Sequence, residues 1–262
     1  MSRATVLACL VSSSVLALTV AAASPAQAAG VDYVALGDSY SSGVGAPGQS
    51  GTCLRSNYSY AAQWAAKHSP ATFQFLACSG AVTDDVLNTQ VPAMSGGADL
   101  ISITIGGNDA GFAPTVLTCL TSSDATCTAK VNAGKAYVAN TLPGKLDATY
   151  AAIKAKAATG AKVVVLSYPN IFDTSAALCE MSATKRKALN SGAQALDDMI
   201  KSRAANAGFT YADVRDNFAG HGVCASKPYL NGLTIIPPQN SYHPNANGYT
   251  FGYLPALTSA VS

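Results

Sequence analysis

Ser39 stands in Gly37-Asp38-Ser39, directly after the apolar run that begins at Val31. A serine at such a turn can be exposed and backed by free backbone N–H groups, but its hydroxyl needs a base to remove its proton. The chain has three histidines, and His243 sits in Asn240-Ser241-Tyr242-His243-Pro244, where proline stiffens the backbone. A carboxylate three residues before His243 would orient its ring; Asn240 stands there instead. Acyl transfer also needs preset donors for the oxyanion it generates. The backbone N–H groups of Ser39 and Gly80 and the side-chain amide of Asn108 are suited to that work. Taken singly, Gly37-Asp38-Ser39 and Gly106-Gly107-Asn108-Asp109 each read as an ordinary turn, and Cys78-Ser79-Gly80 as a disulfide cysteine beside a glycine.

The elements around these blocks bring them together. Strands are expected over 31–39, 72–78, 98–109, 161–169 and 208–214, and helices over 60–68, 83–91 and 183–206. Residues 131–158 read as a long helical stretch that Pro143-Gly144 could break, and the tail beyond Asn245 reads as partly helical. Thr83 is the expected cap of the helix at 83–91, with Asp84 and Asp85 in its first turn. Alternation of strand and helix implies a parallel sheet with helices on both faces. Ligands of such sheets bind beyond the carboxyl ends of the strands. The three polar blocks follow the first three strands, so they converge at one sheet edge. His243, in a loop after the last strand, returns to the same edge.

Composition limits the remaining classes. The 262 residues carry 16 Lys and Arg against 14 Asp and Glu, for a net charge of +2. Such a balance predicts no nucleic-acid stripe and no strong pull toward anionic lipid. Lys185-Arg186-Lys187 reads as a solvated helix face. Residues 1–28 have the form of an export signal: Arg3, an apolar run from Val6 to Val20, then Ala26-Gln27-Ala28 at the expected cut. Cleavage there leaves 234 of the 262 residues, enough for one α/β domain over 29–262. Cys9 lies too early in the signal to serve as a lipid anchor, and no later stretch reaches membrane-spanning length. Six cysteines follow the cut, at 53, 78, 119, 127, 179 and 224. In an exported chain they read as three disulfides of unspecified pairing. Zinc is the weaker reading, because there is no Cys-x-x-Cys and no nearby histidine pair. Residues 43–48, Gly-Val-Gly-Ala-Pro-Gly, match a dinucleotide fingerprint in letters only. Pro47 and the loop context argue against a nucleotide site. No G-x-S-x-G occurs, which argues against the α/β-hydrolase lipases.

Four ordered blocks, GDSYSSG (37–43), ACSGAVT (77–83), GGND (106–109) and HPNANGY (243–249), give the chain its resemblance to the GDSL, or SGNH, hydrolase family. The resemblance runs from about residue 31 to the C-terminus. It is most like the secreted actinobacterial lipases and phospholipases A of that family. It implies a three-layer α/β/α sandwich with a five-stranded, flavodoxin-like parallel sheet. It implies Ser39 as nucleophile, His243 as general base, and Ser39, Gly80 and Asn108 as the oxyanion hole. The cysteine layout is similar too, and implies pairing in sequence: Cys53–Cys78, Cys119–Cys127 and Cys179–Cys224.

Asn240 departs from the family, which usually has Asp three residues before the histidine. The expectation here is a Ser–His pair whose imidazole is oriented by the main-chain carbonyl of Ser241. Asp216 is the alternative acid, although Asp213 and Asp216 read better as loop-organising residues after a strand. Asp38 and Asp109 read as braces of their turns. His68 suits the C-terminal end of a helix, and His221 a glycine-rich loop or the substrate rim. The expected activity is that of a secreted carboxylic ester hydrolase, a lipase, esterase or phospholipase A. It would act as a monomer on lipid or other acyl esters, without metal or cofactor, nucleic acid or a stable membrane anchor. A carbohydrate acetylesterase, or a binding protein on an inactive scaffold, are the alternatives.

Overall fold

The structure is a computed structural model that describes Met1 and residues 30–262; the expected leader of residues 1–28 and its cut otherwise lie outside the described residues. The elements in chain order are β1 (Asp32–Gly37), α1 (Ser39–Ser42), α2 (Tyr60–His68), β2 (Thr72–Phe75), α3 (Thr83–Asp85) and α4 (Val91–Ala93). They continue with β3 (Ala98–Thr104), α5 (Phe112–Thr121), α6 (Asp124–Asn140), α7 (Leu142–Lys156), β4 (Ala157–Leu166), α8 (Ala183–Ala207), β5 (Thr210–Ala212) and α9 (Leu254–Val261). π-helical turns at Val86–Gln90 and Gly248–Tyr253 run into α4 and α9.

The five strands pair in the order β2-β1-β3-β4-β5, all parallel. Parallel strands covered on both faces read as unbroken apolar runs, and Leu100–Thr104 and Val163–Leu166 are buried throughout. Helices α2 and α9 pack together on one face, while α7 and α8 pack with α6 on the other. This is the three-layer α/β fold expected. The strand order reverses between β1 and β3, and in this sheet type the crevice at that reversal is where ligands bind.

Several local expectations differ from the structure. Strand β3 stops at Thr104 rather than running to 109, because Gly106 takes a left-handed φ of +114° that ends the extended run. Thr83 is not a helix cap. Val82 holds that position, and the Thr83 N–H and hydroxyl both donate to the Asp109 carboxylate, at 3.0 and 2.6 Å. The stretch at 131–158 is two helices, α6 and α7, with Pro143 in the first turn of the second, where its missing N–H costs nothing. Helix α5 and the start of α6 are not marked in the sequence, where Ser and Thr, which favour caps and turns, recur at 115, 118, 121–123, 126 and 128. The Ser123 hydroxyl caps α6, and the Cys119–Cys127 disulfide staples the two helices together.

Arg186 is the clearest reversal. Instead of facing solvent it is 4% exposed, and its guanidinium donates to the carbonyls of Asp173 and Ala176. The loop before α8 folds back over the helix start and covers it. Three disulfides join Cys53 to Cys78, Cys119 to Cys127 and Cys179 to Cys224, the pairing the resemblance implied.

Candidate active site

The site is built where the fold places it, at the carboxyl ends of β1, β2 and β3. Two contacts force the turn after β1 into shape. Gly37 has φ +115°, and a Cβ there would meet the Ser41 Oγ at 2.8 Å and the Thr104 backbone N at 2.9 Å. No larger residue fits. The buried Gln90 side chain then grips both polar groups of Gly37, accepting from its N–H at 2.8 Å and donating to its carbonyl at 2.9 Å. Asp38 caps α1 and leaves Ser39 as its first residue, with the side chain 7% exposed residue-wide at the floor of a pocket.

His243 meets the serine from the other end of the chain. Its Nε2 lies 2.7 Å from the Ser39 Oγ, and its Nδ1 lies 3.0 Å from the Ser241 carbonyl oxygen. A carbonyl can only accept, so the proton sits on Nδ1 and Nε2 is left to accept from the serine hydroxyl. That tautomer is the one a general base requires. Burial pushes the His243 pKa down to about 4, against the carbonyls of Ser241 and Gln239, which favour the charged ring. The ring is only half-buried by surface exposure, so water at its edge limits this depression.

Asn240 does not touch the imidazole ring. Its Oδ1 accepts from the Gln49 side chain at 2.8 Å, while its backbone carbonyl accepts the His243 N–H at 3.2 Å. Asp213 binds Arg215 and Asp216 opens a short 3-10 turn, so neither is a partner of His243. His68 packs on Trp64 and bonds its carbonyl, and His221 stacks on Tyr229; both stay outside the pair.

The expected oxyanion donors are gathered but not all on one wall. Ser39 and Asn108 line the same pocket, whereas Gly80, at φ +82°, faces a neighbouring cleft. The two are linked directly: the Asn108 amide donates to the Ala81 carbonyl at 2.9 Å, which leaves its second N–H for another acceptor. Asp109 fixes this arrangement from behind through Thr83.

A tyrosine-centred network that the sequence did not reveal holds the two halves in register. Asp38 accepts from the Tyr40 N–H at 3.0 Å, from the Thr104 hydroxyl at 2.7 Å and from the Tyr168 hydroxyl. Tyr168 in turn accepts the Gly107 N–H at 3.2 Å, next to Asn108. Burial raises Asp38 to about 6 despite these three donors. The Tyr40 hydroxyl donates to the Tyr242 carbonyl at 2.7 Å, so the residue after Ser39 holds the one before His243. Gly45 lets the 43–48 loop close on His243: a Cβ there would meet the Pro244 carbonyl at 2.5 Å and the His243 Cβ at 2.8 Å. The reading of Asp38 as a brace of its turn holds, through the Tyr40 N–H, but nothing in the sequence marked the tyrosine hydroxyls.

The pocket runs from Ser39 between α5, α6 and α8. Its far walls are Phe112, Val131, Val138, Ile171, Leu189 and Leu196. Its space is about 720 Å³ when the open mouth is included.

Known proteins agree with this architecture. Residues 35–251 match the model of the GDSL-like Lipase/Acylhydrolase family. The chain is 48% identical over 248 residues to Lipase 1 of Streptomyces coelicolor, covering 94% of this chain and 91% of that protein. The crystal structure of phospholipase A1 from Streptomyces albidoflavus NA297 superposes with a TM-score of 0.85 at 47% identity, covering 89% of this chain and 100% of that one. An extracellular lipase from Streptomyces rimosus superposes with a TM-score of 0.83 at 48% identity, covering 88% and 99%. The chain therefore belongs to the GDSL-like lipase/acylhydrolase family, and with it to the carboxylic ester hydrolases.

Proposed function

We propose that residues 29–262 form an exported, monomeric hydrolase of lipid esters working through a Ser39–His243 dyad. The observation that carries this is the 2.7 Å contact of His243 Nε2 with Ser39 Oγ while Nδ1 is committed to a backbone carbonyl. Ser39 Oγ attacks the acyl carbonyl carbon and its proton passes to Nε2. The resulting oxyanion is met by the backbone N–H groups of Ser39 and Gly80 and by the Asn108 amide. Collapse breaks the ester C–O bond, and the leaving alkoxide takes the proton from Nε2. Water, deprotonated by the same nitrogen, then attacks the acyl-serine; collapse returns the proton to Oγ and releases the carboxylic acid. No metal or cofactor enters these steps.

The apolar length of the pocket supports fatty-acyl over acetyl esters, because an acetyl group would leave its aliphatic walls uncovered. The extracellular relative and the three disulfides support export. A fluorophosphonate probe with peptide mapping, run beside a p-nitrophenyl ester series from acetate upward, tests the proposal. An adduct on Ser39 and a rate maximum beyond acetate are expected. Failure to label Ser39 would favour the inactive scaffold, and a profile confined to acetate would favour the acetylesterase.

A further inference from the structure

Just before the base, the chain projects an uncharged aliphatic tip that nothing in the catalytic cycle uses. Ile235 is 82% exposed, Ile236 88% and Leu233 55%, followed by the exposed Pro237 and Pro238. An isolated exposed leucine or isoleucine is ordinary. Adjacent isoleucines on a loop this close to a reacting group are not. The loop is also built rather than frayed. The Thr234 N–H donates to the Ser241 hydroxyl at 2.9 Å, and that hydroxyl donates back to the Thr234 carbonyl at 3.1 Å. A 3-10 turn, Pro238–Asn240, closes the tip. Below the clamp, the Asn231 carbonyl accepts the Tyr242 N–H at 3.0 Å and the Asn231 N–H donates to the His243 carbonyl at 2.9 Å. The residue that clamps the tip, Ser241, is the same one whose carbonyl accepts the hydrogen bond from the His243 Nδ1.

We infer that the Ile235–Ile236 tip is an anchor that dips into a lipid surface of neutral or zwitterionic headgroups and seats the dyad over it. Three observations select this occupant. The first is charge: no Asp or Glu follows Asp216, and Lys227 is the only Lys or Arg after it. An anionic membrane or a charged protein would find little to pair with on this segment. The second is size. The exposed aliphatic side chains offer on the order of 100 Å² each, well short of the roughly 800 Å² per partner of a stable protein interface. A lipid layer demands no complementary surface, so a small apolar tip suffices. The third is continuity with the neighbouring loop. Leu178, 90% exposed, lies two residues before Glu180, whose carboxylate accepts the Tyr242 hydroxyl at 3.3 Å and lies beside Gly232. Exposed apolar side chains thus stand on two loops that both join the segment carrying His243.

This inference rests on the lipid-ester function proposed above, but its test is separable from turnover. Ser39→Ala protein is mixed with phosphatidylcholine vesicles and sedimented, with and without the added pair Ile235→Ser and Ile236→Ser. The parent is expected to bind, and the two serines to weaken partition at least tenfold. Raising the salt tenfold should leave the parent's binding unchanged. In the Ser39 background, the Ile235→Ser/Ile236→Ser enzyme is expected to keep its kcat/KM on dispersed p-nitrophenyl butyrate within twofold and to lose at least tenfold on the vesicles. Trp64 is the one native tryptophan and is buried, so Ile236→Trp supplies a second, independent reporter. Its fluorescence should shift to the blue when vesicles are added.

Unchanged vesicle binding in the serine variant would overturn the anchor. So would an equal loss on both substrates, binding only to anionic vesicles with reversal by salt, or no spectral shift of the new tryptophan. If wild-type enzyme hydrolyses the soluble ester but no lipid, the function proposal fails, whereas the sedimentation result still judges the anchor.

Discussion

Replacing Asn240 by alanine separates a dyad from a disguised triad. In a Ser-His-Asp site, exchanging the acid for its amide lowers turnover by about 10⁴, because the imidazole is held in the wrong tautomer. Here Nδ1 already faces a carbonyl acceptor at 3.0 Å, and that acceptor belongs to Ser241. Asn240→Ala removes one side-chain bond, the 2.8 Å contact with Gln49, and leaves the backbone carbonyl that accepts the His243 N–H. A neutral hydrogen bond of this kind contributes about 0.5–1.5 kcal/mol. Even if all of it reached the transition state, the rate would fall by no more than about tenfold. The dyad and the triad therefore differ by roughly three orders of magnitude. The assay is kcat/KM on p-nitrophenyl butyrate at alkaline pH, with circular dichroism to show that the variant is folded. Ser39→Ala and His243→Ala set the floor of activity. A several-hundredfold loss in folded Asn240→Ala would refute the backbone-held base.

The pH–rate profile should place the acid limb of kcat/KM below the ~6.5 of a free imidazole, toward the value of about 4 to which burial pushes His243. The sign follows from the neutral ring being the base: a depressed pKa extends activity to lower pH. An inflection at or above 6.5 would count against this. Stability should vary little over the same window. Between about 4 and 6.5 His243 binds fewer protons in the folded state than in the unfolded one, which destabilises the fold as pH falls. Asp38, raised to about 6, binds more and acts in the opposite direction. Acid titration of the urea midpoint checks this. Gly192 and Val131 line the pocket where α6 and α8 meet, and even a Cβ on Gly192 would press on the Val131 Cγ1 at 3.2 Å, so Gly192→Leu should push Val131 aside and narrow the pocket. Chain-length profiling should then show kcat/KM on decanoate esters falling at least tenfold, with butyrate changed little. An unaltered profile would remove this pocket as the acyl site.

The site's membership was legible in the sequence because three of its blocks follow directly on strands. Once the sheet is parallel, strand ends must share an edge, and Ser39, Gly80 and Asn108 are carried there by chain connectivity. Glycines at 37 and 106 marked the turns, since only glycine takes their left-handed backbone at no cost. The acceptor for the His243 Nδ1 was also within reach, because Ser241 is a local neighbour.

The remaining features depended on contacts across long stretches of chain. Arg186 looked solvated because a run of three cations carries no information about a loop that later folds over it. Tyr40, Tyr168 and Asp38 form one network only after β1, β3 and the segment after β4 are side by side. Residue types and order, by themselves, determined the family, the sheet and the pairing of Ser39 with His243. Tertiary structure alone decided that Asn240 turns to Gln49 instead of the imidazole ring, and how far His243 is desolvated. Both depend on which groups close around His243, and those come from the 43–49 loop and the Tyr40 turn, about two hundred residues away in the chain.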